Sequence, residues 1–260
     1  MIKNDKSDWE QAPACCVGNL NEGVFGMDIY VYGRRRSLPA GFEEFISLAH
    51  TAVICIDLHE GHLADDPECP CPAPRAREIV KQVDVFHRAA RALGIPVIHV
   101  RSELRKNGVD DVAGTKSAWR MVFPLHVGPI PNSDAHAIEG SRWTKFATEV
   151  SENDLIVDRK KRLSAFYPTD LDFLLRNLGT KRIVFTGCMA DCCVLNSAFD
   201  ASNLGYRTIV LADLVRGTDP ELEDAALKIV SLHLGLVTDS ADLLRCWQSQ
   251  KNSPESKVAP

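Results

Sequence analysis

From residue 51 to about residue 245 the chain alternates two kinds of hydrophobic pattern. Short apolar runs rich in β-branched residues begin with "TAVICIDL" (51–58). They recur as "IPVIHVRS" (95–102), "DLIVDRK" (154–160), "KRIVFTGC" (181–188), "YRTIVLADLV" (206–215) and "LVTDS" (236–240). A run that is apolar at nearly every position fits a strand covered on both faces. Between these runs the period changes. In "AREIVKQVDVFHRAARALG", residues Ile79, Val83, Phe86, Ala90 and Leu93 are spaced 4, 3, 4 and 3 apart, which gives one apolar helix face closed by Gly94. "DLDFLLRNLG" and "DPELEDAALKIVSLHLG" predict further helices, and "GCMADCC" opens one that runs to about residue 204. Six strands joined by helical crossovers predict one α/β domain, an open, mostly parallel sheet with helices on both faces.

Outside this alternation the pattern fades. Residues 1–50 hold scattered Gly, Pro and polar residues and a weakly helical "GFEEFISLAH"; they predict a wrapping arm, ordered where Trp9, Phe25 or Tyr30 dock. From residue 248, "QSQKNSPESKVAP" is polar with two prolines and predicts a frayed tail. The expected organisation is therefore an arm (1–50), a single domain (51–247) and a tail (248–260). Within the domain, residues 103–153 form a long excursion of loops and short helices, the kind of segment that covers a site.

Composition narrows the function class. The 260 residues are 45% hydrophobic and 25% charged, enough for one sizeable core. A net charge of −5 leaves no basic footprint for nucleic acid, and "GRRR" at 33–36 is expected to be a solvated loop. No apolar run nears the roughly 18 residues of a membrane span. The start of the chain shows no export or transit pattern, so the nine cysteines are expected to be reduced thiols of a cytoplasmic protein.

Ligands of open α/β sheets collect at the carboxyl ends of the strands. Three such ends carry reactive groups: Asp57 after the first strand, Lys160 on the third and the "GCMADCC" turn after the fourth. An ammonium and a helix N-terminus favour a thiolate, a carboxylate can move its proton, and successive turn amides can hold an oxyanion. Each residue alone has an ordinary explanation. Asp57 could cap a loop, Lys160 sits in a basic "RKKR", and a buried cysteine is commonly an inert small hydrophobe. Three thiols at Cys188, Cys192 and Cys193 leave metal, redox and covalent roles open. "CPCP" (69–72) with His59 and His62 offers two thiols and two imidazoles, but C-x-C is not a standard zinc spacing and no second cysteine pair completes it. Adjacent Cys192 and Cys193 lack the C-x-x-C spacing of a redox pair.

The blocks "ICIDLH", "KKRLSAFYPTDLDFLLRNLG" and "VFTGCMADCCVLNSAFDASNLGYRTIVLAD" resemble, in matching order across about 51–245, the isochorismatase-like cysteine hydrolases. The resemblance implies a three-layer α/β/α fold and cleavage of a C–N bond in a small amide or ureide, as in relatives acting on N-carbamoylsarcosine, biuret and ureidoacrylate. It implies an Asp–Lys–Cys triad. Its aspartate matches Asp57, its lysine matches Lys160, four residues before Ser164, and its cysteine matches Cys193, six residues beyond Gly187. It further implies a cis peptide between Cys188 and Met189, with the N–H groups of Met189 and Cys193 as oxyanion donors. Three departures stand out: Ala190 where the family has Thr, "HEGH" after Asp57, and "HVRSELRKN" (99–107) where nicotinamidases of the family carry a metal cluster. No metal and no cofactor are therefore expected, and His59, His62 and Trp119 are candidates for the substrate pocket. His136 and Trp143, in "HAIEGSRWTKF", are candidates for pocket walls or subunit contacts. A homodimer or homotetramer is implied by resemblance alone. The competing functions are vinyl-ether hydrolysis of the isochorismatase type and a catalytically silent binding protein.

Overall fold

The structure, a computed structural model, describes residues 26–252. Trp9 and Phe25 of the expected arm, and residues 253–260 of the expected tail, lie outside the described residues. The chain enters through a hairpin of β1 (Asp28–Val31) and β2 (Arg34–Ser37), then α1 (Glu43–Ile46) and β3 (Thr51–Ile56). Next come α2 (Glu60–Leu63), α3 (Pro74–Arg77), α4 (Val80–Ala92) and β4 (Val97–Ser102). The long excursion carries α5 (Ala118–Val127) and leads to β5 (Leu155–Lys160), α6 (Leu171–Asn177) and β6 (Arg182–Cys188). The chain closes with α7 (Leu195–Asn203), β7 (Arg207–Arg216), α8 (Pro220–Ile229), β8 (Gly235–Thr238) and α9 (Ser240–Asn252).

Six strands pair in the order β5-β4-β3-β6-β7-β8, all parallel. Every residue of β3 and β6 is buried, as their continuous apolar runs require. Alternation along each strand divides the core in two. Val53, Cys55, Val97, Val184 and Ile209 face Val83, Phe86 and Ala90 of α4 and Leu243 and Trp247 of α9. Ile54, Ile56, Ile98, Ile183 and Phe185 face Leu171 and Leu175 of α6 and Ala198 and Ala201 of α7. Helices thus cover both faces. The start of α8 shows the local rules: the Asp219 side chain accepts the Leu222 N–H and Pro220 occupies the first turn.

Several boundaries differ from the sequence expectation. "RRRS" is not a loop but the exposed second strand of the hairpin, pairing Ile29 with Arg36 and Val31 with Arg34. Met27, Leu38 and Ile46 are buried in the main core, so residues 26–50 pack as part of it, and the Tyr30 hydroxyl donates to Asp239 at 2.7 Å. The single helix expected over 76–94 is two, α3 and α4. The helix α9 runs past residue 248 because Gln250 is tied to the 46–48 segment, accepting the Leu48 N–H and donating to the Ile46 carbonyl.

The strand order reverses between β3 and β6, the place where an open α/β sheet leaves a crevice. There the two backbones touch. Gly187 pairs with Ile56 at φ +115°, and a Cβ on Gly187 would lie 2.1 Å from the Ile56 carbonyl oxygen. Gly187→Ala is therefore expected to lower unfolding stability by at least about 2–3 kcal/mol, an overpacking cost added to an unfavourable φ. Urea titration of the two proteins checks it; equal midpoints would show that β3 and β6 can separate freely.

Candidate active site

Asp57, the residue after β3, leaves the strand with φ +51° and has no solvent exposure. Its Oδ1 accepts the Ser102 N–H at 2.9 Å and its Oδ2 receives Lys160 Nζ at 2.5 Å. Burial, the largest single influence, pushes this carboxyl upward, but the Lys160 ammonium and its hydrogen bond, together with smaller contributions from His59 and His62, hold Asp57 below the usual carboxylate value. Lys160 is equally buried, at 1% exposure. Burial lowers its pKa, while Asp57 and then Cys193 raise it further, so the net direction is upward and the ammonium is permanent.

Lys160 reaches this position through an irregularity. The β4–β5 ladder pairs Val100 with Val157 and next Ser102 with Lys160, so β5 carries one residue more than β4 over this step. Arg159 sits in the left-handed region at φ +61° and absorbs the extra residue, a β-bulge that re-aims the following side chain. Lys160 Nζ donates to Asp57, to Ser102 Oγ at 2.9 Å and to Cys193 Sγ at 3.4 Å, which uses all three ammonium protons. Lys161 points elsewhere. Its Nζ donates to the Glu103 carbonyl and lies 3.3 Å from Asp110.

The third contribution is the turn after β6. The peptide between Cys188 and Met189 is cis, and Ala190–Val194 form a wide turn that leads into α7. Two anchors fix it. Asp191 accepts the Thr218 N–H at 2.7 Å and its hydroxyl at 2.8 Å. Ser197 Oγ donates to the Cys193 carbonyl at 2.7 Å and accepts the Ala165 N–H at 2.9 Å, linking the "SAF" block to the cysteine. The Cys192 and Cys193 sulfurs lie 3.9 Å apart and share a hydrogen bond that lowers Cys192 and raises Cys193. Burial adds to the rise at Cys193 and the Lys160 ammonium opposes it. Of the two sulfurs, Cys193 is the one that meets the ammonium.

A cavity of about 610 Å³ opens over these groups. Its floor includes Ser102, Lys160 and Cys193, and its walls include Leu104, Trp119 and Phe123 from the 103–153 excursion. Of the pocket candidates, His62 and Trp119 line it, joined by His136. His59 does not; it is fully buried with Nε2 3.9 Å from Asp57 Oδ1. Trp143 is buried and its carbonyl accepts from His59 Nδ1 at 2.8 Å. The "CPCP" segment serves as support, with the Cys71 carbonyl accepting from His62 Nδ1 at 3.0 Å and the Cys69 thiol donating to the Gly61 carbonyl. Burial lowers all three imidazoles, His59 to about 3, so each is neutral near pH 7.

Residues 51–242 match the isochorismatase domain. The chain belongs to the isochorismatase family. It is 35% identical over 186 residues to a ureidoacrylate amidohydrolase RutB of Methylorubrum extorquens, covering 70% of this chain and 73% of that protein. It is 27% identical to the N-carbamoylsarcosine amidase of Arthrobacter sp., covering 73% of this chain and 66% of the amidase. Among solved structures, the cysteine hydrolase of Pseudomonas syringae pv. phaseolicola superposes with a TM-score of 0.67 at 24% identity, over 78% of this chain and 94% of that one. The isochorismatase-like α/β fold is thus established, and the chain is a hydrolase of that family.

In this isochorismatase domain, Ser102 carried too little signal in the sequence, and so did the pairing of His136, a pocket-wall candidate, with His62. Ser102 ends β4 and holds both Asp57 and Lys160, yet a lone serine at a strand end looks like any loop start. His136 meets His62 across 74 positions, with their Nε2 atoms 3.2 Å apart, and only folding brings them together.

The geometry predicts different fates for the two neighbouring lysines. An ammonium beside a thiol lowers the thiol pKa, so removing it raises that pKa, by about 1–3 units at this range. Lys160→Met should slow iodoacetamide alkylation of Cys193 at pH 7 and move the rate–pH profile upward. Lys161→Met should leave both nearly unchanged. Circular dichroism must confirm folding, because Lys160→Met also strands the buried Asp57 carboxylate at a cost of about 3–5 kcal/mol. An unmoved profile in folded Lys160→Met would remove Lys160 from the site.

Proposed function

We propose that the protein hydrolyses the C–N bond of a small amide or ureide through a covalent thioester on Cys193. The observation that supports this most directly is the Lys160 ammonium, within reach of both the Asp57 carboxylate and the Cys193 thiol on the floor of the cavity. In this reading Cys193 Sγ attacks the substrate carbonyl carbon as its proton passes to Asp57. The N–H groups of Met189 and Cys193 bind the oxyanion. The C–N bond then breaks, the departing nitrogen takes the proton from Asp57, and an acyl- or carbamoyl-thioester remains. Water attacks the thioester with Asp57 as base, which releases the acid and restores the thiol. Lys160 stays charged throughout; it orients Asp57 and favours sulfur in its anionic form. His62 and Trp119 contact the substrate from the cavity wall. The names of the two curated relatives support an amide or ureide as the substrate class.

Ammonia release from a panel of small amides and ureides tests the reaction. With a responsive substrate in hand, Cys193→Ala is expected to lose at least about a thousandfold in kcat, as removal of a nucleophile does. Cys192→Ala should remain within about tenfold of the parent. Mass spectrometry of the quenched parent should show one acyl adduct on the tryptic peptide, absent in Cys193→Ala. The reverse pattern would move the nucleophile to Cys192. Full ammonia release by both variants would exclude an essential thioester on Cys193, and no ammonia release from any member of the panel would favour the vinyl-ether reaction.

A further inference from the structure

The mechanism above uses one side of the cavity. Beside it, His62 and His136 line the cavity and His59 lies buried behind them against Asp57, an arrangement of three imidazoles that the mechanism does not explain. His59 and His62 bracket the short helix α2, and His136 comes from the excursion; their ring centroids lie 4.7, 4.7 and 5.7 Å apart, and one ligand nitrogen of each falls within 4.8 Å of the others.

Backbone carbonyls fix which nitrogens face inward. His59 Nδ1 lies 2.8 Å from the Trp143 carbonyl oxygen, which has no proton to give, so this nitrogen carries the N–H. The Gly61 N–H at 3.2 Å from the same atom is the weaker contact and does not change the assignment. His62 Nδ1 donates likewise to the Cys71 carbonyl at 3.0 Å. Both rings, neutral, therefore turn a bare Nε2 lone pair into the cluster. His59 Nε2 is buried and, among the described residues, has no hydrogen-bond partner. His62 Nε2 faces His136 Nε2 at 3.2 Å. His62 Nε2 is thus within hydrogen-bond distance of His136, and His59 Nε2 is the buried lone pair that calls for a hydrogen-bond donor or a cation. Two imidazole nitrogens sharing a tetrahedral ion at bonds of about 2.0–2.1 Å would stand about 3.4 Å apart, close to the separation seen here. Histidines whose far nitrogen donates to a backbone carbonyl are also the arrangement that holds metal ligands in place.

We infer that His59, His62 and His136 form a binding site for a divalent transition cation of the zinc class. Three neutral nitrogens, with the Asp57 carboxylate 3.9 Å behind His59 Nε2 and engaged by Lys160, suit zinc, cobalt(II) or iron(II) and disfavour magnesium or calcium. His62 and His136 line the cavity that holds Cys193, so the remaining coordination position faces substrate. The ligands lie outside the 99–107 stretch, and the inference departs from the sequence expectation that the protein holds no metal. The site stands on its own geometry and does not depend on the amide reaction.

Cobalt(II) is the probe. The chelator-treated full chain is titrated with cobalt(II) chloride, and the visible ligand-field spectrum and bound metal per chain are recorded. One ion per chain is expected, with bands of a nitrogen-ligated tetrahedral ion and no sulfur-to-cobalt charge transfer. Zinc should displace it. His62→Ala and His136→Ala should weaken binding by at least about a hundredfold, whereas Cys193→Ala and a variant of the exposed His233, His233→Ala, should bind as the parent does. Absence of cobalt binding by the parent would overturn the inference. So would a thiolate charge-transfer band, which places the ion on cysteines, and so would unchanged binding in the folded histidine variants. The parent spectrum alone decides if those variants fail to fold.

Discussion

An ammonium and a carboxylate 2.5 Å apart, neither exposed to solvent, constrain everything around them. Neither charge is tolerable alone in such a place, and even together they need their remaining hydrogen-bond capacity filled. The fold does this with Ser102, whose N–H serves Asp57 and whose hydroxyl accepts from Lys160. The last ammonium proton points at Cys193. Because the three contributing strands, β3, β4 and β5, are neighbours in the sheet, the pair is held by main-chain pairing and not by mobile loops. The cysteine arrives from β6 on the other side of β3, across the contact that Gly187 permits. The ion pair is therefore both a constraint on the fold and a fixed electrostatic element of the site.

The sheet was legible because buried parallel strands write themselves as continuous apolar runs, and all six lie within a residue or two of where that pattern puts them. Helix termini were less so. The break between α3 and α4 falls inside a stretch whose spacing supports one helix, and the hairpin at residues 28–37 was hidden because "RRRS" reads as solvated charge. Its strand character comes from cross-strand partners and from Met27 and Leu38 packing into the core, which no local pattern records. At the site, Asp57, Lys160 and Cys193 were candidates through the family resemblance of their blocks, and the structure brings the three together. What spacing could not convey is which far-apart residues share a cavity. Ser102 became part of the site, and His136 the neighbour of His62, only through tertiary structure.

The cavity draws its lining from two sources. Lys160, Cys192 and Cys193 stand at the end of β5 and in the turn after β6. Trp119, Phe123 and His136, with the ion pair of Asp111 and Arg120, come from the 103–153 excursion, and the Trp119 ring meets His136 edge-on at 5.0 Å. Changes of sequence in the excursion can therefore reshape what the cavity accepts without moving the sulfur or its cation.

The bulge in β5 gives the basic run at 159–161 a property that its composition hides. Three consecutive cationic side chains look interchangeable, as though a cation were assured whichever one faced inward. They are not. In a strand that kept plain alternation from Val157, the partner of Ser102 would be Arg159, and a planar guanidinium cannot replace a compact ammonium that gives one proton to each of three acceptors in different directions. Whether this chain has the right cation in place therefore turns on the backbone conformation of Arg159, a residue whose own side chain is largely in solvent and takes no part in the cavity. A substitution there that favoured an extended φ would change the identity of the buried charge by a frame slip, leaving Asp57, Lys160 and Cys193 in the sequence untouched.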